Sequence, residues 1–185
     1  MGQRPQRPVR RSPLYTPEER VRRDNSVWTL VQGILAPLQF LVFLISLFLV
    51  LRYLATGAGE MAATVSVVVK TLILYAIMIT GSIWEKVVFG KYLFAKAFFW
   101  EDVFSMLVLA LHTAYLAALF MGLLDVQGQM LLALAAYATY VINATQFLLK
   151  LRAARLSQAA DDADAAAGVQ AANVQTAGRA LGVAE

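Results

Sequence analysis

Cysteine is absent from all 185 residues, and with it go disulfides, iron–sulfur clusters, thiolate zinc sites, covalent c-type haem and cysteine nucleophiles. Charge is scarce too. Only 15% of the residues are charged and 59% are apolar, against roughly 25% and about 45–50% in a soluble domain. That balance leaves too little polar surface to enclose a globular core, which argues against an ordinary cytosolic enzyme. Histidine occurs once, at His112. No nucleotide, phosphate or zinc motif is present, nothing calls for nucleic acid, and no internal repeat supports an inverted-repeat transporter.

What is abundant is long apolar sequence. A bilayer core of about 30 Å needs ~20 helical residues to cross it, and four such stretches occur, at about 27–51, 61–84, 99–124 and 130–149. They predict an all-α, integral membrane four-helix bundle over 26–152, with connections at 52–60, 85–98 and 125–129. Residues 1–25 hold seven arginines and four of the five prolines, a basic tail without the apolar run of a secretory signal. Within it Thr16-Pro17-Glu18-Glu19 sets an N-cap, a first-turn proline and a capping-box glutamate in order, so a short helix is expected there. Residues 153–185 contain thirteen alanines and read as a disordered or weakly helical tail. Lysine and arginine number seven in the N-terminal tail, three in 85–98 and four after 149, against Arg52 alone in the first connection and none in the third. The bias places both termini and the middle connection of a multi-pass membrane protein in the cytoplasm.

Polar groups inside the spans are costly and mark candidate sites. At ~1.5 Å per residue, Gln39, Lys70, His112 and Tyr140 fall near the midplane. Gln32, Glu85, Glu101, Asp102, Asn143 and Gln146 fall within ~10 Å of the cytoplasmic ends. Helical phase puts Gln32, Gln39 and Ser46 on one stripe. It puts Glu101, Ser105, Val108, His112 and Tyr115 on another, and Ala135, Thr139, Asn143, Gln146 and Lys150 on a third. Pro37 frees the Gly33 carbonyl and predicts a kink between Gln32 and Gln39. For the glutamines and asparagine, interhelical hydrogen bonding alone competes with a ligand role. His112 has three readings: ligand to a metal in a tetrapyrrole, proton donor or acceptor, or neutral partner of Lys70, Gln39 or Tyr140.

The stretch WEKVVFGKYLFAKAFFWED, residues 84–102, carries seven aromatics and the acids Glu85, Glu101 and Asp102. One reading is an interfacial aromatic belt. The other is an apolar platform, with Trp84, Phe98 and Trp100 against a planar ligand. Carboxyls in apolar surroundings stay protonated more readily, so these three acids are the candidate general acids.

Four stretches, WTLVQGILAPLQFLVFLISL, GSIWEKVVFGKYLFA, AFFWEDVFSMLVLALHTAYL and YATYVINATQFLLKLR, together resemble the 3-vinyl bacteriochlorophyllide hydratase family of phototrophic bacteria, over about residues 14–155. The resemblance implies a lyase that adds water to the C3 vinyl group of a magnesium chlorin, giving a 1-hydroxyethyl group on the way to bacteriochlorophyll a. It implies no cofactor, a (bacterio)chlorophyllide substrate with water, a membrane-lipid setting, and contacts with other pigment-biosynthesis proteins. It assigns no residue roles. On the physical reading, Glu85, Glu101 and Asp102 are the catalytic candidates. Gln32, Gln39, Lys70, Trp84, Phe98, Trp100, His112, Tyr140, Asn143 and Gln146 are the substrate-binding ones, with His112 a candidate ligand to the substrate's magnesium. The alternative is a non-enzymatic membrane tetrapyrrole-binding or pigment-complex assembly protein.

Overall fold

The computed structural model describes residues 14–182, so the expectations for Arg4, Arg7, Arg10 and Arg11 of the basic tail lie outside the described residues. The order is α1 (Pro17–Asn25), α2 (Val27–Thr56), α3 (Glu60–Phe89), α4 (Phe99–Met121) and α5 (Val126–Gly182), with no strand among the described residues. Helices α2 to α5 each contain a stretch long and apolar enough to cross a membrane.

The start of α1 follows the capping logic of its sequence. Thr16 Oγ1 accepts from the Glu19 amide at 3.2 Å, and the Glu19 carboxylate accepts from the Thr16 amide at 2.8 Å. Glycine, rather than loss of hydropathy, ends the first three spans, so α2 and α3 run past their apolar windows while α4 stops at Met121, short of the expected 124. α2 stops at Gly57 (φ 69°) and α3 at Gly90 (φ 80°), a left-handed conformation that costs glycine no Cβ clash. The connections therefore shrink to 57–59, 90–98 and 122–125, and Glu85 lies within α3 rather than in a loop. α2 continues as helix through Pro37.

Residues Tyr15–Phe147 form one compact unit. Each helix turns one narrow stripe inward: Gln39, Phe43, Ser46 and Val50 on α2; Ala63, Val67, Lys70, Thr71 and Leu74 on α3; Asp102, Ser105, Val108, His112, Tyr115 and Ala118 on α4. On α5 the buried line is Met130, Ala133, Ala136, Tyr137, Tyr140 and Asn143. Ala135 is exposed and Thr139 half-buried, so the expected small-residue line is rotated by about a third of a turn. An alanine placed at random on a helix carries no signal for the buried side. The outer faces are apolar, as at Phe48 (65% exposed) and Ile79 (62%), the inverse of a water-soluble bundle and suited to lipid.

Described residues 148–182 fall in a second unit and continue α5 as helix through the alanine-rich stretch to Gly182. Disorder or weak helicity was the expectation there. Alanine has the highest intrinsic helix propensity of any residue, which accounts for a continuous helix.

Candidate active site

Glu85 and Asp102 meet near the end of the bundle that carries α1. Glu85 sits in the last two turns of α3 and Asp102 in the first turn of α4, so the antiparallel pair brings them together across the 90–98 connection. Their carboxyl groups lie close enough to interact directly, and both are almost wholly buried. Carboxylates only accept, so a hydrogen bond between two carboxyls requires a proton on one of them. Two consecutive backbone amides also point at the pair: Phe94 N–H donates to Asp102 Oδ2 at 2.7 Å, and Ala95 N–H donates to Glu85 Oε2 at 3.3 Å. Phe94 takes a left-handed φ of 59° to do so, a strained conformation for a bulky side chain. Successive amides arranged in this way make an anion-binding concavity. Two carboxyls held this close disfavour double ionisation, so the pair favours sharing one proton. Glu101, the residue before Asp102, is buried as well.

The aromatic platform expected over 84–102 divides in two. Trp84, Phe89 and Phe98 pack edge-on or tilted at 5.8 Å between centroids, with Phe147 stacked on Phe98 and Tyr15 stacked on Phe89. Tyr92, Phe94, Phe99 and Trp100 face outward, and Trp100 is 67% exposed. Trp84 and Phe98 therefore line the interior while Trp100 does not. α1 and the first turn of α2 close over the inner cluster: Arg22 Nε donates to the Val88 carbonyl at 2.9 Å, Trp84 Nε1 donates to Thr29 Oγ1 of α2 at 2.9 Å, and the Arg23 guanidinium lies 4.7 Å from the Tyr15 ring centroid. Burial raises the pKa of the Tyr15 phenol, with Arg23 partly opposing it. Tyr15 was hidden from sequence reasoning inside an arginine-rich tail. Its only signal was its place one residue before the α1 cap, where an apolar residue staples the chain to its neighbour.

One turn inward from Asp102, Asn143 Nδ2 donates to Ser105 Oγ at 2.8 Å. Asn143 Oδ1 and Gln146 Oε1 are buried acceptors with no protein donor. Gln32 instead crosses from α2 to α3, its Nε2 donating to Thr80 Oγ1 at 2.7 Å.

A second polar group lies deeper. Lys70 and His112 are fully buried, with Lys70 Nζ 2.6 Å from His112 Nε2 and His112 Nδ1 2.7 Å from the Val108 carbonyl. A carbonyl only accepts and an ammonium only donates, so Nδ1 carries the proton and the Nε2 lone pair is engaged by Lys70. Of the partners expected for His112, the structure selects Lys70. The lone pair a magnesium ligand would need is the one Lys70 occupies. Lys70 Nζ also lies 4.2 Å from the Tyr140 ring centroid and 5.4 Å from that of Tyr137. Tyr137, which sequence reasoning passed over, bonds Ser46 Oγ through its hydroxyl at 2.6 Å, and Ser46 in turn meets Ser66. Its signal was its register, three residues before Tyr140 on the same face. Gln39 is 2% exposed, and neither its amide nitrogen nor its oxygen has a protein hydrogen-bond partner.

The model of the family described as 2-vinyl bacteriochlorophyllide hydratase matches residues 15–153. That is most of the chain, and the whole of the Tyr15–Phe147 unit that holds both polar groups. The chain belongs to this family. A relative from Rhodobacter capsulatus named 2-vinyl bacteriochlorophyllide hydratase is 68% identical over 163 residues, covering 88% of this chain and 94% of the relative. One of the same name from Cereibacter sphaeroides is 70% identical over 157 residues, covering 84% and 96%. No solved structure matches. The family's name counts the vinyl-bearing position of the macrocycle as 2, where the reading above counts it as 3.

Proposed function

We propose that this chain is a membrane-embedded hydratase that adds water to the ring vinyl group of a bacteriochlorophyllide, with the Glu85–Asp102 pair as its proton donor and acceptor. Family membership supports the reaction. The buried carboxyl pair, held by two consecutive loop amides, is the observation that carries the assignment of residues. The shared proton goes to the terminal vinyl carbon. The cation left on the inner carbon is delocalised into the macrocycle, water attacks that carbon, and the proton lost by the water returns to the pair. The site ends as it began, and no electrons leave or enter. Asn143 Oδ1 and Gln146 Oε1, buried acceptors awaiting donors, suit a water held on its two hydrogens. Glu101 is assigned to the same acidic site. Trp84 and Phe98 form the apolar wall that keeps the cation from bulk solvent, and the outward Phe99 and Trp100 offer the ring faces on which a planar chlorin lands from the membrane surface. Gln32 helps hold α2 against α3 beside the site.

Purified protein incubated with a magnesium 3-vinyl chlorophyllide in water enriched with heavy oxygen should yield a hydroxyethyl product carrying the label. Binding without turnover would instead make the protein a tetrapyrrole carrier or assembly factor.

The charge bias supports a cytoplasmic location for α1 and the 90–98 connection, and family membership supports the inner or intracytoplasmic membrane of a phototrophic bacterium as the protein's setting. Single cysteines at exposed Ala58 and Gln127 should react with an impermeant thiol reagent from the opposite side, and one at Lys91 should not. Gly128 is a poor labelling position, because a Cβ there would lie 2.8 Å from Asp125 Oδ1. Labelling at Lys91 from the side that reaches Ala58 would overturn the orientation.

A further inference from the structure

Lys70 poses a problem of charge that the carboxyl pair does not answer. It is fully buried in the middle of α3, where the bilayer would be deepest, and its contacts are one neutral imidazole and two phenol rings. Among the described residues no carboxylate pairs with it. Glu85, on the same helix, is fifteen residues away, roughly 22 Å along the axis. A histidine lone pair and ring faces orient an ammonium, but they bring no negative charge to offset its desolvation. The ammonium has three N–H donors, and His112 takes one. Gln39 lies one turn from Phe43 on the inward stripe of α2, and the Phe43 ring touches Tyr140 at 4.9 Å. Its unpartnered amide adds a polar group to the same level of the bundle.

The proposed substrate has the complementary charge. A chlorophyllide differs from a chlorophyll in having a free propionate in place of the phytyl ester, so the magnesium chlorin as a whole carries one negative charge, at the end of a flexible arm. That arm leaves a different ring from the one bearing the vinyl group. From Asp102 to His112 is ten residues along α4, on the order of 15 Å, a separation comparable to the width of the macrocycle with its propionate extended. We propose that Lys70, oriented by His112, is the counter-ion for the propionate carboxylate of the substrate, and that this pairing sets the macrocycle so that its vinyl edge reaches the Glu85–Asp102 pair. The inference rests on the hydratase reading for its substrate. It adds that the enzyme selects the free acid over esterified pigments.

The test compares two probes, a magnesium 3-vinyl chlorophyllide and its propionate methyl ester, with the full chain in detergent micelles. Affinity is read from pigment fluorescence and turnover from product. The wild type should bind the acid about ten to a hundred times more tightly than the ester, the range for a charge-assisted contact removed from water. Lys70→Met should bring the two probes to equal affinity, and Lys70→Arg should keep most of the preference. If Lys70→Met does not insert stably, Lys70→Gln replaces it in the comparison. Equal affinities in the wild type would overturn the proposal, as would a preference that survives loss of the lysine charge. A preference that depends on Lys70, in protein that turns over neither probe, would uphold the counter-ion while striking down the hydratase reading. Turnover of both probes without preference would do the reverse.

Discussion

Glu85→Gln and Asp102→Asn should each lower the hydration rate by about 10²–10⁴-fold, the usual effect of removing a positioned acid, while pigment affinity changes little. The amide replacements keep the size of each side chain and much of its hydrogen bonding to Phe94 and Ala95, whose amides hold the loop. They take away the titratable proton that the proposed chemistry needs. Glu101→Gln should have a smaller effect, because the loop amides of Phe94 and Ala95 hold Asp102 and Glu85. The rival explanation is architectural: the pair exists to anchor the 90–98 connection and its strained Phe94. A pair with only that role predicts lost stability together with a nearly normal rate in whatever protein remains folded. Measuring rate and thermal stability on the same samples separates the two. A normal rate in both amide variants would remove the pair from the chemistry.

The pairing of Glu85 with Asp102 shows where a single sequence stops being informative. Each acid stood out by itself, as a charge beside a long apolar run. Which two would meet depended on the antiparallel register of α3 and α4, and that register is set by Gly90 and the loop, not by hydropathy. The apolar window closed at Trp84, so Glu85 read as loop, whereas the helix continues to Phe89 because backbone hydrogen bonding continues until a glycine releases it. The α1 start was fully legible because a capping box is a local pattern of four residues. The inward line of α4 was legible because its polar members recur at three, four and seven. The aromatic segment misled for the opposite reason: a seven-aromatic composition has no phase, and half of it packs inward while half faces out. Tyr137 and Tyr15 are apolar enough to be silent in a search for charges, yet one orders the ring cage around Lys70 and the other seats α1 on the bundle.

His112→Ala should destabilise the protein by about 2–3 kcal/mol, the scale for leaving a buried group without its partner, with a charged group at the upper end. It should also weaken binding of the free-acid pigment, because Lys70 loses the contact that aims it. His112→Gln, whose side-chain oxygen can accept from Lys70, should restore most of both. The competing role, ligation of the substrate's magnesium, makes a different set of measurements move. It requires the Nε2 lone pair that Lys70 engages at 2.6 Å, while the bond from Nδ1 to the Val108 carbonyl keeps the proton off Nε2 in either role. If Nε2 bound magnesium, pigment held by His112→Ala would show a shifted absorption spectrum, and added imidazole would return it to that of the wild type. A positioning role predicts the wild-type spectrum in every His112 variant that still binds, with no response to imidazole. Spectral rescue by imidazole would therefore transfer His112 from Lys70 to the metal, and the orientation of the macrocycle would have to be redrawn around that bond.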